Sequence, residues 1–166
     1  MAVQIKPVTL WRVEVPNEPG VLARTLEPLA SARADLQVVM GYRFSGDRSR
    51  GAIEVAPVSG ARATKAAGAA GLSQSGIPAL RIEGDNRVGL GHAIASALAE
   101  AGINIDFVVA QVSGGRYSAI FGFDNEEALR RAAPILRRVA RVAAPIAGRK
   151  SAARKSRKAT RKRARR

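Results

Sequence analysis

"GDNRVGLGHAIASALAEAGINI", residues 84–105, places a glycine-containing turn between a strand-like segment and an alanine-rich segment. The apolar run "ALRI" precedes the turn, and the amphipathic pattern after it predicts a helix that leads into a second apolar strand. A strand, a glycine turn and a helix in this order can also hold the pyrophosphate of a dinucleotide. The role of this turn therefore decides whether the sequence predicts an enzyme or a binding module.

The turn matches the dinucleotide fingerprint poorly. After Gly89 and Gly91, the third glycine position of the fingerprint holds Ile94. A Tyr-x-x-x-Lys catalytic pair is absent, because neither Tyr42 nor Tyr117 has a lysine four residues later. We therefore expect no cofactor and no catalytic residues. A small oxidoreductase that uses this turn stays as a third hypothesis, which predicts a titratable nicotinamide cofactor.

The same pattern occurs once more, 69 residues earlier in the chain. The segment "PNEPGVLARTLEPLASARADLQVV" (16–39) aligns with "DNRVGLGHAIASALAEAGINIDFVV", so that Asn17 falls on Asn86 and Gly20 falls on Gly89. A strand candidate precedes each copy, and a β-rich hairpin and a helical stretch follow it. The order strand–helix–strand–strand–helix thus occurs twice. The copies share one glycine and not the phosphate fingerprint.

The shared turn has a mechanical explanation that needs no phosphate. The asparagine of each copy is predicted to cap the following helix through its side-chain oxygen. The glycine is predicted to adopt a backbone conformation that other residues avoid. Helical spacing then gives each helix one apolar face that packs on a sheet, formed by Leu22, Leu26 and Leu29 in the first copy and by Ile94, Leu98 and Ala101 in the second.

The segments "VEVPNEPGVLARTLEPLASA" and "IEGDNRVGLGHAIASALAEAGINIDFVVAQV" both resemble the opening of an ACT domain, a strand followed by Asn/Asp-x-Pro-Gly-x-Leu and a helix. The second continues into "RYSAIFGFDNEEALRRA" much as that family does. The resemblance covers residues 9 to about 140. It implies an α+β fold of two ferredoxin-like βαββαβ modules with antiparallel sheets. We assign residues 1–76 to the first module, 77–148 to the second and 149–166 to a tail.

The resemblance also implies that the modules pair, within one chain or as a homodimer, and that a small amino acid or related metabolite binds beside the turn. Backbone N–H groups at a helix N-terminus attract a carboxylate. Asn104 and Asp106 are expected to complete a zwitterion site. The implied turn residues are Asn17, Glu18, Pro19, Gly20 and Val21 in the first module and Asn86, Arg87, Val88, Gly89 and Leu90 in the second.

The last strand of the second module is missing from the sequence pattern, because none follows the helical stretch "APILRRVARVAAPIAG". We expect the N-terminal segment "VQIKP" or a partner chain to fill this position in the sheet. The run "ALRI" is expected to serve as the last strand of the first module and the first strand of the second.

Composition excludes several classes of site. The chain has no cysteine and a single histidine, His92, so we expect neither disulfides nor a metal site. The N-terminal sequence lacks a signal-peptide pattern, and no run of 18 apolar residues occurs. We therefore expect a cytoplasmic protein that does not span a membrane.

The tail carries a dense positive charge. Residues 149–166 hold 11 of the 28 lysines and arginines and no acidic residue, while the rest of the chain carries 17 basic and 13 acidic side chains. A block of like charges cannot collapse, so the free tail is predicted to be disordered. It is expected to hold the phosphates of nucleic acid through Arg149, Lys150, Arg154, Lys155, Arg157, Lys158, Arg161, Lys162, Arg163, Arg165 and Arg166.

Together these features predict a non-enzymatic regulatory protein that senses a small metabolite and binds nucleic acid through its tail. The alternative is a structural adaptor, in which the modules only dimerise and the tail supplies the whole binding activity. The adaptor predicts no response to small ligands and a loss of nucleic-acid binding when residues 149–166 are removed.

Overall fold

The computed structural model of the chain describes residues 3–141. The predicted tail, with all 11 of its basic residues, lies outside the described residues. No helix within residues 3–141 is both long and apolar enough to cross a membrane. In chain order the elements are β1 (Gln4–Val8), β2 (Trp11–Pro16), α1 (Val21–Ser31), β3 (Val38–Arg43), β4 (Arg50–Ala56), α2 (Ala61–Ala69), β5 (Ser73–Gln74), β6 (Ala79–Asp85), α3 (Leu90–Glu100), β7 (Phe107–Ser113), β8 (Arg116–Gly122) and α4 (Glu126–Arg141).

The strands form two antiparallel sheets of four strands each. The first sheet has the order β3-β4-β2-β5, and the second has the order β1-β6-β8-β7. Two helices belong to each sheet, α1 and α2 to the first and α3 and α4 to the second. The predicted α+β class with two ferredoxin-like modules is confirmed.

The N-terminal strand completes the second sheet. β1 pairs antiparallel with β6, with Gln4 opposite Glu83 and Val8 opposite Ala79. This is the first of the two sources predicted for the missing strand. Residues Gln4–Val8 thus join the second sheet, whereas β2, the predicted first strand of the first module, stays in the first sheet. The pairing has a simple cause: Ile5 packs against the core of the second module.

The run "ALRI" is not shared between the modules, in contrast to the prediction. β6 pairs with β1 on one side and with β8 on the other, so neither of its edges is left for the first sheet. The short strand β5 closes the first sheet instead and pairs with Trp11 and Arg12 of β2.

Each sheet packs its helices on one face only. In the second module the predicted face is confirmed, since Ile94 and Leu98 are buried in the core. In the first module Leu29 is buried as predicted and Leu26 is partly buried, but Leu22 is 44% exposed, and Val21 and Thr25 complete the buried stripe. Val21, Thr25 and Leu29 align with the buried Leu90, Ile94 and Leu98 of α3, so the helix face on the sheet is the same in both modules and does not include Leu22.

The two modules pack against each other within the chain. A third hydrophobic cluster contains Met40 and Ala56 of the first module and Ala79 and Ile120 of the second, with Leu10 of the β1–β2 connection among them. Strand register places these four sheet residues on the faces that carry no helices. The two modules therefore pair within one chain, which is one of the two predicted arrangements.

Candidate ligand-binding clefts

Both glycine turns adopt the conformation that the repeat predicts. Gly20 has a φ of 85° and Gly89 a φ of 82°, and each immediately precedes its helix. A residue with a Cβ is strained in this left-handed region. The tight entry from strand to helix therefore depends on glycine in both modules.

The asparagines of the turns do not cap the helices, in contrast to the prediction. Neither α1 nor α3 has a side-chain cap. The Nδ2 of Asn17 donates instead to the backbone oxygen of Arg48 at 3.0 Å, and the backbone N–H of Asn17 donates to the oxygen of Ser49 at 2.7 Å. In the second module the backbone N–H of Asn86 donates to the oxygen of Gly115 at 2.8 Å. The asparagines thus link each turn by hydrogen bonds to the hairpin of the same module, β3–β4 in the first and β7–β8 in the second.

The uncapped start of α3 leaves hydrogen-bond donors free. The N–H of Leu90 donates to the oxygen of Arg87 at 3.3 Å, while the N–H groups of Gly91 and His92 have no acceptor within the part of the chain that the structure describes. The first turn of a helix also carries a partial positive charge. This end of α3 therefore suits an anionic group.

A small cleft lies between the turn and β3 in the first module. Its volume is about 240 Å³. Of the predicted residues, Asn17, Glu18 and Val21 line it, whereas Pro19 and Gly20 belong to the turn but not to the wall. Leu22 also lines the cleft and occupies part of the space beside the turn.

The corresponding cleft of the second module is larger, at about 440 Å³. Four of the five predicted turn residues line it, namely Asn86, Arg87, Gly89 and Leu90. Val88 does not, because its side chain projects into solvent and is 99% exposed. The wall opposite the turn is apolar and is formed mainly by Ile94, Ile105, Val108, Ala110, Val112, Ala119 and Phe121.

Two exchanges between the repeats explain why the second cleft is larger and differently lined. Gly91 stands where the first module has Leu22, so the side chain beside the turn is absent. Strand register also places Tyr117 opposite Gly84 in the second module, whereas Gly51 lies opposite Val15 in the first. The second module therefore brings a tyrosine, in place of a glycine, to this end of its cleft.

The hydroxyl of Tyr117 is a polar group without a partner. Tyr117 is 7% exposed, lines the second cleft, and has no hydrogen-bond partner for its Oη among the described residues. Burial raises the pKa of Tyr117, although the positive charge of Arg87 opposes this effect. The hydroxyl therefore keeps its proton at neutral pH and is available to donate a hydrogen bond to a ligand. The repeat alignment could not have singled out this position, because a shift of 69 places Tyr117 on Arg48, and only the strand register places it in the position of Gly51.

Asn104 and Asp106 are not brought to the second cleft. Both precede β7, and the N–H of Asp106 donates to the oxygen of Gly122 at 3.0 Å. Asp106 lines a different cavity of about 700 Å³ between the two modules, whereas Asn104 lines none of the cavities described here. The predicted zwitterion site is therefore not assembled from these two residues.

The intermodule cavity contains a buried acid that the sequence analysis did not single out. Glu54 is 1% exposed; its Oε1 accepts a hydrogen bond from Tyr42 at 2.7 Å and lies 3.6 Å from the Nε of Arg12. Burial and the bond to Glu54 raise the pKa of Tyr42. The sequence could have indicated this residue, because Glu54 is the lone acid within the apolar segment "GAIEVA". Within residues 3–141, no three His, Asp or Glu side chains cluster as a metal site would require.

No protein-family model and no curated protein matches the sequence. Solved structures do match the fold. The chain is similar to protein BT0572 of Bacteroides thetaiotaomicron, with 15% identity, a TM-score of 0.66, and coverage of 81% of this chain and 89% of that one. It is also similar to the regulatory subunits of aspartate kinase from Thermus thermophilus and Thermus flavus. The Thermus thermophilus subunit has 18% identity and a TM-score of 0.56, and the match covers 84% of this chain and 97% of that one. The Thermus flavus subunit has 20% identity and a TM-score of 0.53, and the match covers 84% of this chain and 95% of that one.

The chain has a tandem ACT-like fold. The predicted resemblance is thereby confirmed for the architecture, since the structural match covers 97% and 95% of these two regulatory subunits. At these identities the likeness establishes the ACT-like fold alone. The function of this chain has to be argued from its own clefts.

Proposed function

We propose that this tandem ACT-like protein is a regulatory protein that binds a small amino acid or related metabolite in the cleft of its second module. The observation that carries the proposal is the second cleft itself, which has a volume of about 440 Å³. It is lined by a glycine turn, by the uncapped N-terminus of α3 and by an apolar wall. Small-molecule sites are typically concave and apolar, with a few convergent polar groups. The regulatory subunits that share the fold support a regulatory rather than an enzymatic role.

The free edge of β7 supports an assembly in which a second copy covers this cleft. β7 is the outer strand of its sheet, and Val108 and Val112 are 52% and 57% exposed. An unpaired strand edge with exposed apolar side chains is a template for pairing with another chain. We propose a homodimer that forms along β7 and responds to the ligand, because the ligand and the partner would contact the same valines.

The cationic tail supports a second activity, association with nucleic acid. Eleven basic residues among 18, with no acid and no aromatic residue, suit phosphate contacts without base recognition. Two tails in one dimer would bind the same polyanion with increased avidity. Removal of residues 149–166 is expected to abolish duplex DNA binding, and the affinity of the full chain is expected to fall steeply with added salt. Equal DNA affinity of the shortened and full chains would contradict this assignment.

A thermal-shift screen of the full chain against the twenty amino acids and their α-keto acids tests the main proposal. A ligand at about 100 times its Kd contributes roughly 2.7 kcal/mol to the free energy of unfolding, which raises the Tm by several degrees. The matched control is Gly91→Leu, which gives the second cleft the leucine of the first. A Cβ at position 91 meets no atom within 4 Å, so we expect this variant to fold and to lose the shift.

Two outcomes would contradict the proposal. One is the absence of any shift, which would favour the structural adaptor. The other is an equal shift in the Gly91→Leu variant, which would place the ligand elsewhere. NAD and NADP are added to the same screen, and a shift with either of them would instead support the nucleotide hypothesis.

A further inference from the structure

The charge of the second cleft points to one class of ligand. Among the described residues that line it, Arg87 is the sole charged side chain, and it is half-buried. The Nη2 of Arg87 donates to the backbone oxygen of Val139 at 2.7 Å, which fixes the guanidinium beside α4. Within residues 3–141 its other N–H groups make no further hydrogen bond and can donate to a ligand. A fixed arginine at a small apolar cleft favours an anion.

The neutral polar groups of the cleft also donate hydrogen bonds. The buried hydroxyl of Tyr117 has no partner, and the N–H groups of Gly91 and His92 lack acceptors among residues 3–141. An unpartnered buried donor costs free energy, which a ligand recovers when it supplies an acceptor. Arg87, Gly91 and Tyr117 all line the cleft, so the turn, the start of α3 and β8 each supply a donor to it. A carboxylate, with two oxygens and several lone pairs, can accept from all of them.

Among residues 3–141, no acidic side chain lines the second cleft to pair with a ligand ammonium group. Asp106 lines the intermodule cavity. Asp85 is near enough for its charge to raise the pKa of Tyr117, but it is not part of the cleft wall and pairs with Arg116 at 3.4 Å on the surface. In the first module Glu18 occupies the position of Arg87, so the acid of the turn has been replaced by a base in the second. An ammonium group in the second cleft would therefore lie near a positive charge and would have only neutral acceptors.

The remaining wall selects for an aliphatic body. Ile94, Ile105 and Val108 line the cleft together with Phe121, and its volume of about 440 Å³ suits a ligand with a short branched chain. Each methylene group that the wall removes from water strengthens binding by roughly four-fold.

We propose that the ligand of the second cleft is a small branched aliphatic carboxylate without an ammonium group, such as a branched α-keto or α-hydroxy acid, and not the corresponding amino acid. Arg87, the hydroxyl of Tyr117 and the free N–H groups of α3 bind the carboxylate and the neighbouring oxygen. The apolar wall binds the branched chain. This inference rests on the proposed function, because it names the ligand class of the same cleft.

The test is a calorimetric titration of the full chain with leucine, valine and isoleucine and with their α-keto acids, and with pyruvate as an unbranched probe. We expect each branched α-keto acid to bind roughly 10- to 100-fold more tightly than its amino acid, since a buried, unpaired charge is lost. Pyruvate is expected to bind more weakly than the branched acids.

Tyr117→Phe tests the hydroxyl without disturbing the ring. This variant removes an unpartnered buried group, so it should fold at least as well as the parent, and the α-keto acids should bind about ten-fold more weakly. Tyr42→Phe is the matched control, because Tyr42 is the other tyrosine of the chain and does not line the second cleft. It lines the intermodule cavity and the first cleft. Its α-keto acid affinity should equal that of the parent.

Three results would overturn the inference. Amino acids that bind as tightly as their α-keto acids would exclude the ammonium-free ligand while leaving the proposed function intact. Binding of an α-keto acid that is unchanged in both Tyr117→Phe and Gly91→Leu would show that the second cleft is not the site. The absence of binding by either class of probe would overturn this inference and the proposed function together.

Discussion

Tyr117 lies directly opposite Gly84 across the β6–β8 pair, and a Cβ at position 84 would lie 3.0 Å from the Cε1 and 3.1 Å from the Oη of the tyrosine. The missing side chain of Gly84 therefore makes room for the phenol ring. In the first module the large and small residues are exchanged, with Val15 opposite Gly51. The asymmetry of the two clefts thus begins with one cross-strand pair in each sheet.

The first prediction concerns this pair. Gly84→Ala should push the ring of Tyr117 out of its position, because the new Cβ would approach the ring more closely than ordinary contacts allow. We expect a loss of about 1–3 kcal/mol in the free energy of unfolding, as for other overpacked sites, measured by urea denaturation. Gly91→Ala is the control, since its Cβ meets no atom within 4 Å and alanine favours a helix. Equal destabilisation by both variants would contradict the account.

The second prediction concerns the N-terminal strand. Ile5 lies opposite Ile82 and packs on the core of the second module, so Ile5→Ala should lower the free energy of unfolding. Because Ile5 is only half-buried, we expect about 1–2 kcal/mol, below the range for a fully buried isoleucine. Lys6→Ala, at the exposed neighbouring position, should change stability by less than about 0.5 kcal/mol. Indistinguishable denaturation curves for the two variants would mean that β1 is not docked on β6.

The third prediction concerns pH. Burial raises the pKa of both tyrosines above 10.0, and the bond to Glu54 adds to this effect for Tyr42. The native state therefore holds the phenolic protons at a pH where the unfolded chain has lost them. The stability that the two residues contribute is complete below pH 10 and falls as the pH rises through their native pKa values.

An alkaline absorbance titration checks this third prediction. Both tyrosinates should appear above pH 10 in the native protein, and Glu54→Gln should lower the pKa of Tyr42 alone. Tyr42→Phe and Tyr117→Phe assign the two transitions, since the chain has no other tyrosine. Ionisation of either residue below pH 10 would contradict the burial that the structure assigns to it.

Some local features of the fold could be predicted from the sequence because they depend on neighbouring residues, although the predicted asparagine caps were wrong. The repeat of Gly20 and Gly89 predicted two turns that need a left-handed backbone, and both have it. The helical period likewise predicted the buried face of α3 through Ile94 and Leu98. These inferences need only sequence spacing and the steric limits of the backbone.

Features that depend on distant pairing could not be fixed in this way. The sequence left two sources for the last strand of the second sheet, because nothing local to β1 shows that it pairs with β6 more than 70 residues later. The position of Asp106 also escaped prediction. A side chain just before a strand can face either side of the sheet, and here it lines the intermodule cavity instead of the cleft.

The most direct test of the account is a map of backbone amide shifts in the full chain during titration with the α-keto acid of leucine. We predict that the largest changes occur at Gly89, Gly91 and Val108, around the second cleft, with Gly20 unaffected. Changes centred on Gly20, or on Asp106 in the intermodule cavity, would contradict the claim that the second module holds the ligand site. A spectrum that does not change at all would contradict it as well.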